Sequence, residues 1–360
     1  MKQLVCLSYT PWQKAPTRTQ QLLARLRDAD ILFFEPPATG KNKAYRQPGR
    51  KVRSNITVYT LPPLFGPQNE SRFFRRRNQA RFSAYLLKAL ERHRFHEPVL
   101  WTTTPENLFL VDSLPHRGLV YDCDREWDDL PLEWESELAA AADVIFAASP
   151  ELVVRLSPCC DNIALLPNGV NHLMFSRTDL VPPILLHSRS GPILGHVGRI
   201  TEFTDLEPLL YAAAAQPNWT FLLVGPVSSK VARLLSRFSN ILLTGMVPVT
   251  DIPDYLSGCQ ICFDLLSRKS QGCDILPPHF YEYLATGKPV VLVLEHDQVE
   301  PYPDVIYTAH TPAGFLKRCR RALEEDPNWV SNRRREYAAQ AQWSVRAQEV
   351  ERILDITGLI

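Results

Sequence analysis

No run of about 18 apolar residues occurs in the 360-residue chain, so no membrane-spanning helix is expected. The opening MKQLVCLSYT is apolar for only a few positions before Trp12, Gln13 and Lys14. It lacks the long apolar core and small-residue cleavage site of a secretion signal. It reads instead as a first buried strand, and the expected compartment is the cytosol. Charge of one sign is also lacking: 40 Lys and Arg stand against 39 Asp and Glu, a net charge of +1 that names no partner. Low-complexity tracts are absent. Glycine is sparse, 15 residues against 30 prolines, which favours firm loops between elements. Metal-ribbon spacing is missing too. Among eight cysteines, Cys259 and Cys262 form a CxxC, but no second pair accompanies them, and CQICFDLL reads as a buried strand. Thiols in a large cytosolic chain are ordinarily small buried hydrophobes.

What is present is an alternation. Short apolar runs stand at Gln3–Ser8, Ile31–Phe34, Val58–Leu61, Val99–Thr102, Leu119–Asp122, Val144–Ala147 and Ile163–Leu166. Helical patterns lie between several of them, as at Gln20–Arg27, Phe73–Arg92, Leu132–Ala142 and Glu151–Leu156. Such runs, separated by helices, predict a parallel sheet covered on both faces. The second half repeats the design from Ile193–Val197 to Val305–Tyr307, and one long helix is predicted over Asn332–Asp355. Between the halves, Ser176–Pro192 is rich in Pro, Ser and charge and reads as a linker. The length suits two cores of roughly 150–200 residues. The expectation is therefore two open α/β sheets with ligands outside the carboxyl ends of the strands.

In the second half, GPILGHVGRI is a strand followed by Gly198 and Arg199. Glycine after a strand admits a ligand to the backbone, free N–H groups there favour phosphate, and an adjacent Arg neutralises a diphosphate. FLLVGPV is a second strand ending in a glycine, Gly225. In CDILPPHFYEYLATGKPVV, Asp274 precedes a short helix that carries Glu282 and ends near Gly287. A carboxylate on the loop and one on the helix can bracket a sugar and a ribose. The bland alternatives are an ordinary turn and two surface acids.

The ordered set GHVGRI, FLLVGPV, ILLTGMVP, IPDYLSGCQICFDLL and HFYEYLATGKPVV resembles the C-terminal domain of GT-B glycosyltransferases, in particular the family-4 group of retaining enzymes. In the first half, SYTPW with Arg18 and Gln20–Gln21, FFEPP, VYDCD, AASPEL and LLPNGVNHLMF resemble the bacterial teichuronic-acid-type branch. The resemblance implies two Rossmann-like doubly wound domains facing each other across a cleft. The boundaries it suggests are 1–178 on the acceptor side, 179–340 for the nucleotide-sugar, and 341–360 as a helix, near Trp343, packing back on the first domain. It implies transfer of a sugar from a UDP- or GDP-linked donor to a cell-surface polysaccharide, glycolipid or other hydroxyl acceptor, with retention, and with neither metal nor cofactor. By the same resemblance Glu282 holds the ribose, Asp274 stands where a Glu usually touches the sugar, and Arg199 meets the diphosphate. The usual second cation is replaced by Thr204. His279 stands where related sequences often carry Lys, so a partly charged imidazole can assist phosphate there. Tyr281, Gly287 and Pro289 fit the motif. LPNGVN is a turn that is mostly architectural, with Asn171 where the family usually shows Asp. Front-face attack, with the leaving diphosphate helping to take the proton, needs no nucleophilic side chain; the protein positions and stabilises.

On the acceptor side, VYDCDREWDDL places Asp122 and Asp124 at a strand end, where a carboxylate can act as base on a hydroxyl. Their DxD is the metal signature of a different glycosyltransferase fold and is set aside on that ground. Two segments are strongly basic: Lys41, Lys43, Arg46, Arg50, Lys51 and Arg53, then Arg72, Arg75, Arg76, Arg77 and Arg81 among phenylalanines. They suit peripheral contact with an anionic membrane through 41–53 and 72–81, a diphosphate-linked lipid or an acidic glycan; an ordinary solvated helix face is the alternative. No nucleic-acid signature accompanies them. Two rivals stay open: a nucleotide-sugar epimerase, whose His and acid set is not seen, and a noncatalytic glycan- or nucleotide-binding protein.

Overall fold

The computed structural model describes residues 2–13, 15–66, 72–266, 274–294, 302–325 and 327–360. The chain divides into two compact units, Met1–Pro167 with Ser344–Ile360, and Asn168–Trp343.

The first unit is built on eight strands among the described residues: β1 (Lys2–Leu7), β2 (Ala29–Glu35), β3 (Arg50–Arg53), β4 (Ile56–Thr60), β5 (Val99–Thr102), β6 (Gly118–Cys123), β7 (Val144–Ala147) and β8 (Ile163–Leu165). Their order is β3-β4-β2-β1-β5-β6-β7-β8. Every neighbouring pair is parallel except β3–β4. Every residue of β5, β6 and β7 is buried, as expected of strands covered by helices on both faces. Helix Arg18–Leu23 begins at a capping box: the Thr17 hydroxyl accepts from the Gln20 N–H, and the Gln20 side chain accepts from the Thr17 N–H. The long helix Arg72–His93 follows β4.

The second unit holds β9 (Ile193–Val197), β10 (Thr220–Val224), β11 (Ile241–Gly245), β12 (Ile261–Leu265), β13 (Val290–Val293) and β14 (Ile306–Ala309). These are all parallel, in the order β11-β10-β9-β12-β13-β14. Alternate residues feed two separate cores. Leu222, Val290 and Leu292 pack on one face with Tyr283 and Leu284, while Phe221, Leu223 and Val291 pack on the other with Phe263 and Phe315. Helix Pro278–Thr286 starts at the Pro277–Pro278 pair and stops at Gly287, whose φ of +76° is the left-handed cap that glycine supplies freely. In both units the strand order reverses beside the first strand, β1 or β9, and in such sheets ligands bind outside the carboxyl ends at that reversal.

Three elements differ from the sequence pattern. RKVR, read as part of a basic loop, is strand β3, paired antiparallel on the edge β4. The helix predicted over Asn332–Asp355 is two helices, Pro327–Gln340 and Trp343–Ile356. Between them, Val170 donates its N–H to Ala341 O at 2.9 Å and accepts the Trp343 N–H at 3.1 Å, so a strand-like bridge replaces helical bonds where the chain passes from one unit to the other. The same bonds place 168–178, read with the first domain, in the second unit, where Phe175 and Val170 are core residues.

Candidate functional site

At the carboxyl end of β9 the backbone turns at Gly198, with φ +146°, and at the end of β10 it turns at Gly225, with φ +137°. The two turns are packed together. A Cβ on Gly225 would collide with the Gly198 carbonyl oxygen, which is why both positions need glycine. Their amides are already used: Gly198 N–H donates to Val224 O at 3.0 Å and Gly225 N–H to Gly245 O at 3.1 Å. The expectation of free glycine N–H groups is corrected accordingly. The next amide, that of Arg199, has no backbone partner among the described residues. The Arg199 side chain is exposed and forms no ion pair among them. Thr204 is absorbed by the loop, its hydroxyl accepting the Thr201 N–H at 3.1 Å.

Behind the Gly198 turn lies a cluster that sequence reading did not single out. Asp264 on β12 is 3% exposed. Its Oδ1 is 3.3 Å from Nδ1 of His196 on β9, and its Oδ2 is hydrogen-bonded to Nε2 of His279, in the first turn of helix Pro278–Thr286. Burial alone raises the Asp264 carboxyl, but the His279 and His196 charges and hydrogen bonds outweigh it and hold the group well below the usual carboxylate range. Burial lowers His279, yet the Asp264 carboxylate prevails and leaves it above the ordinary histidine value. One signal in the sequence could have found Asp264: a lone acid inside the apolar run ICFDL is costly unless partnered.

Glu282 lies on the same helix, partly buried and without a hydrogen bond or ion pair among the described residues. Burial pushes its carboxyl up to about 7, against the opposing charge of His279. Asp274 is partly buried, and its Oδ1 has no partner among the described residues. Tyr281 is not in this group. It is 1% exposed in the core beside Phe280 and Tyr302, so its expected donor contact is corrected to a packing role. The tyrosine that faces the turn is Tyr283, whose hydroxyl accepts the Val197 N–H at 2.7 Å. Cys259 and Cys262 are buried free thiols, as a strand reading requires.

In the first unit the corresponding strand ends carry Asp122, Asp124 and Tyr9. Asp122 is completely buried and ion-paired to Arg18 at 2.9 Å. That corrects its reading as a base on an acceptor: it is shut away from solvent as the partner of Arg18. Asp124 is only partly buried. One oxygen accepts from Tyr9 Oη at 3.2 Å, and the other has no partner among the described residues. Burial, then the charge of Asp122, raises its pKa. Both terminal guanidinium nitrogens of Arg18 are likewise buried without a partner among the described residues, so this cluster holds unspent hydrogen-bonding capacity. Of the basic residues, Arg75 lies 4.8 Å from the Trp134 ring and Arg77 4.1 Å from the Phe65 ring, while Phe73 is 63% exposed. No helix among the described residues is long and apolar enough to cross a membrane.

No family model matches the chain. It is 25% identical over 288 residues, 72% of each chain, to the putative teichuronic acid biosynthesis glycosyltransferase TuaH of Bacillus subtilis (strain 168). In structure it is similar to sucrose-phosphate synthase from Thermosynechococcus elongatus, with a TM-score of 0.75, 14% identity and 98% of each chain covered. It is also similar to HepE of Anabaena in complex with UDP, with a TM-score of 0.70 and 16% identity over 99% of this chain and 100% of that one. The chain therefore has the GT-B fold of two Rossmann-like units, shared with glycosyltransferases of this kind.

Proposed function

We propose that the chain is a glycosyltransferase: the second unit holds a UDP- or GDP-sugar, and the first binds the hydroxyl acceptor. The observation that carries this reading is the convergence at the β9–β12 reversal. A tight glycine turn, an exposed Arg199 and a partly buried Glu282, both without an ion pair among the described residues, stand where an open α/β sheet binds its ligand. Arg199 neutralises the diphosphate, and its amide, without a backbone partner among the described residues, donates beside it. Glu282 accepts the ribose hydroxyls, and Asp274 meets the sugar. Two relatives support a nucleotide donor: the curated one is named as a glycosyltransferase, and the Anabaena protein is bound to UDP.

On the acceptor side, Asp124 is the partly buried carboxylate with one oxygen unbonded among the described residues, and its raised pKa suits it to take a proton. A cavity of about 530 Å3 in the first unit is lined by Arg50, Lys51 and Arg53 of β3 together with Trp12, Gln13 and Gln21. This lining favours an anionic acceptor, a lipid diphosphate or an acidic glycan, over a neutral sugar. Peripheral contact of 41–53 and 72–81 with an anionic membrane belongs to the same reading. Transfer proceeds with retention, and positioning rather than a nucleophilic side chain supplies the catalysis.

Turnover is the test. Incubated with UDP- and GDP-sugars, the chain is expected to release free nucleotide only when an acceptor is present. Interconversion of the donor sugar without an acceptor would instead favour an epimerase. Nucleotide binding with no turnover on lipid-diphosphate or acidic-glycan acceptors would favour a binding protein.

A further inference from the structure

We propose that buried Asp264, with His196 behind it, positions His279 so that only its protonated form donates a hydrogen bond to the diphosphate of the donor. The proposal rests on the donor reading above and adds to it a positioning triad and a pH gate.

The geometry supplies the argument. Asp264 belongs to β12 and His196 to β9, the two strands that flank the reversal. Asp264 is ionised and takes hydrogen bonds only as an acceptor, so the nitrogen facing it carries a proton. For His279 that nitrogen is Nε2. Its Nδ1 has no hydrogen bond among the described residues. In the neutral ring, with Nε2 protonated, Nδ1 presents a lone pair and repels an oxyanion. In the imidazolium, Nδ1 presents a proton and attracts one. The carboxylate thus removes the neutral tautomer that could have donated from Nδ1.

The ring stands where the phosphate turn is. The His279 Cε1 lies 3.3 Å from the place a Cβ on Gly198 would occupy, and His196 Nε2 lies 3.4 Å from the same point. That His196 nitrogen is buried and has no partner among the described residues. The two imidazoles therefore flank one glycine, their centroids 6.0 Å apart; His279 is bonded to Asp264, and His196 Nδ1 lies 3.3 Å from both Asp264 Oδ1 and the Phe263 carbonyl oxygen. A side chain 21% exposed, as His279 is, can still meet a ligand.

Few titratable groups compete for His279 among the described residues. Asp264 faces it from β12 and His196 from β9. From its own helix come Tyr283, whose ring is 5.7 Å away and whose hydroxyl is tied to Val197, and Glu282, whose charge favours the imidazolium. Of these only Asp264 bonds it. The net effect raises His279, so the cation persists nearer neutrality than in a free histidine.

The experiment is calorimetric titration of the full chain with UDP and with GDP at a series of pH values from about 6 to 9. The native chain is expected to lose affinity as pH rises through the His279 value, by about tenfold or more, as for a hydrogen bond to a charged group. The terminal phosphate of the nucleotide gains charge near pH 6, at roughly the second phosphate pKa. That change strengthens binding as pH rises and cannot imitate the loss. His279→Lys is expected to bind with the alkaline fall abolished, since lysine stays charged to about pH 10. Asp264→Asn is expected to move the fall to lower pH; if that variant folds poorly, His279→Lys decides alone. A native profile without an alkaline fall, or the same fall in His279→Lys, overturns the proposal. A merely structural triad would lower the melting temperature of Asp264→Asn and leave the pH midpoint in place. Failure of the folded native chain to bind either nucleotide at any pH defeats the donor reading itself, a result distinct from a flat profile.

Discussion

Each unit buries one carboxylate at the carboxyl end of a strand near its sheet's reversal, and each surrounds it differently. Asp122 faces Arg18, a cation at every physiological pH. Asp264 faces two histidines, whose charge depends on pH. In the first unit burial outweighs the single guanidinium, and the Asp122 pKa rises. In the second unit two partners outweigh burial, and the Asp264 pKa falls. The contrast separates two uses of one device. A buried carboxylate on arginine is a brace whose cation does not titrate. A buried carboxylate on histidines is a brace that can be unlocked.

The brace is the larger effect. Arg18→Met leaves Asp122 buried and alone, and the loss in urea unfolding is expected to be about 3–5 kcal/mol. Replacing both members by apolar residues of similar volume is expected to restore most of it, because the desolvation cost then disappears with the charge.

Next come the opposite pH slopes of the two carboxylates. A depressed folded pKa contributes stability that is present above the unfolded value near 4 and lost as pH falls toward the folded value. The deficit of Asp264→Asn is therefore expected to be largest near pH 5–6, between the unfolded carboxyl and histidine values, and to shrink by about 1 kcal/mol toward pH 3. Asp122 has a raised folded pKa, so its contribution is lost as pH rises above the unfolded value. The deficit of Asp122→Asn is expected to be largest near pH 4 and to shrink toward neutrality. Parallel slopes in the two variants would erase the distinction between the sites.

Glu282 sharpens the comparison from the other side, as a partly buried carboxyl with no bonded cation among the described residues. Its pKa, pushed up to about 7, means that ionisation in the folded state opposes stability above the unfolded value near 4. Glu282→Gln is expected to gain about 1–2 kcal/mol at pH 8 and nothing at pH 4, while losing nucleotide affinity. Stability sacrificed at one carboxyl is what a binding group shows and a packing group does not. The smallest effect is expected at Tyr281→Phe. The hydroxyl of Tyr281 is 3.5 Å from that of Tyr302 in the core, so the change is expected to cost less than about 1 kcal/mol and leave nucleotide affinity unaltered.

These sites were unevenly legible in the sequence. Parallel strands buried on both faces announce themselves as apolar runs, and β5, β7, β9, β10 and β12 lie where their runs stand. Gly198, Arg199 and Glu282 were readable because a glycine turn after a strand and an acid on a short helix have a local form. Edge strand β3 was not, since RKVR is held by pairing with β4 rather than by burial. The break at Ala341–Gln342 was hidden because Val170, far away in sequence, takes the bonds that would have continued the helix. Asp264 and His196 were passed over as ordinary members of apolar strands, and their meaning appears only when β9 and β12 lie side by side. Asp122 and Asp124 looked equivalent as a DxD. The guanidinium of Arg18, 104 residues from Asp122 in the chain, distinguishes them.

The most direct test of the central claim, that the second unit holds a nucleotide-sugar through Glu282, is calorimetric titration of UDP and GDP into the native chain and into Glu282→Ala. One of the two nucleotides is expected to bind the native chain, and the folded variant is expected to bind it about 10- to 100-fold more weakly, the loss of hydrogen bonds to a charged group. Equal binding by the two proteins, or none by the native chain, would contradict it.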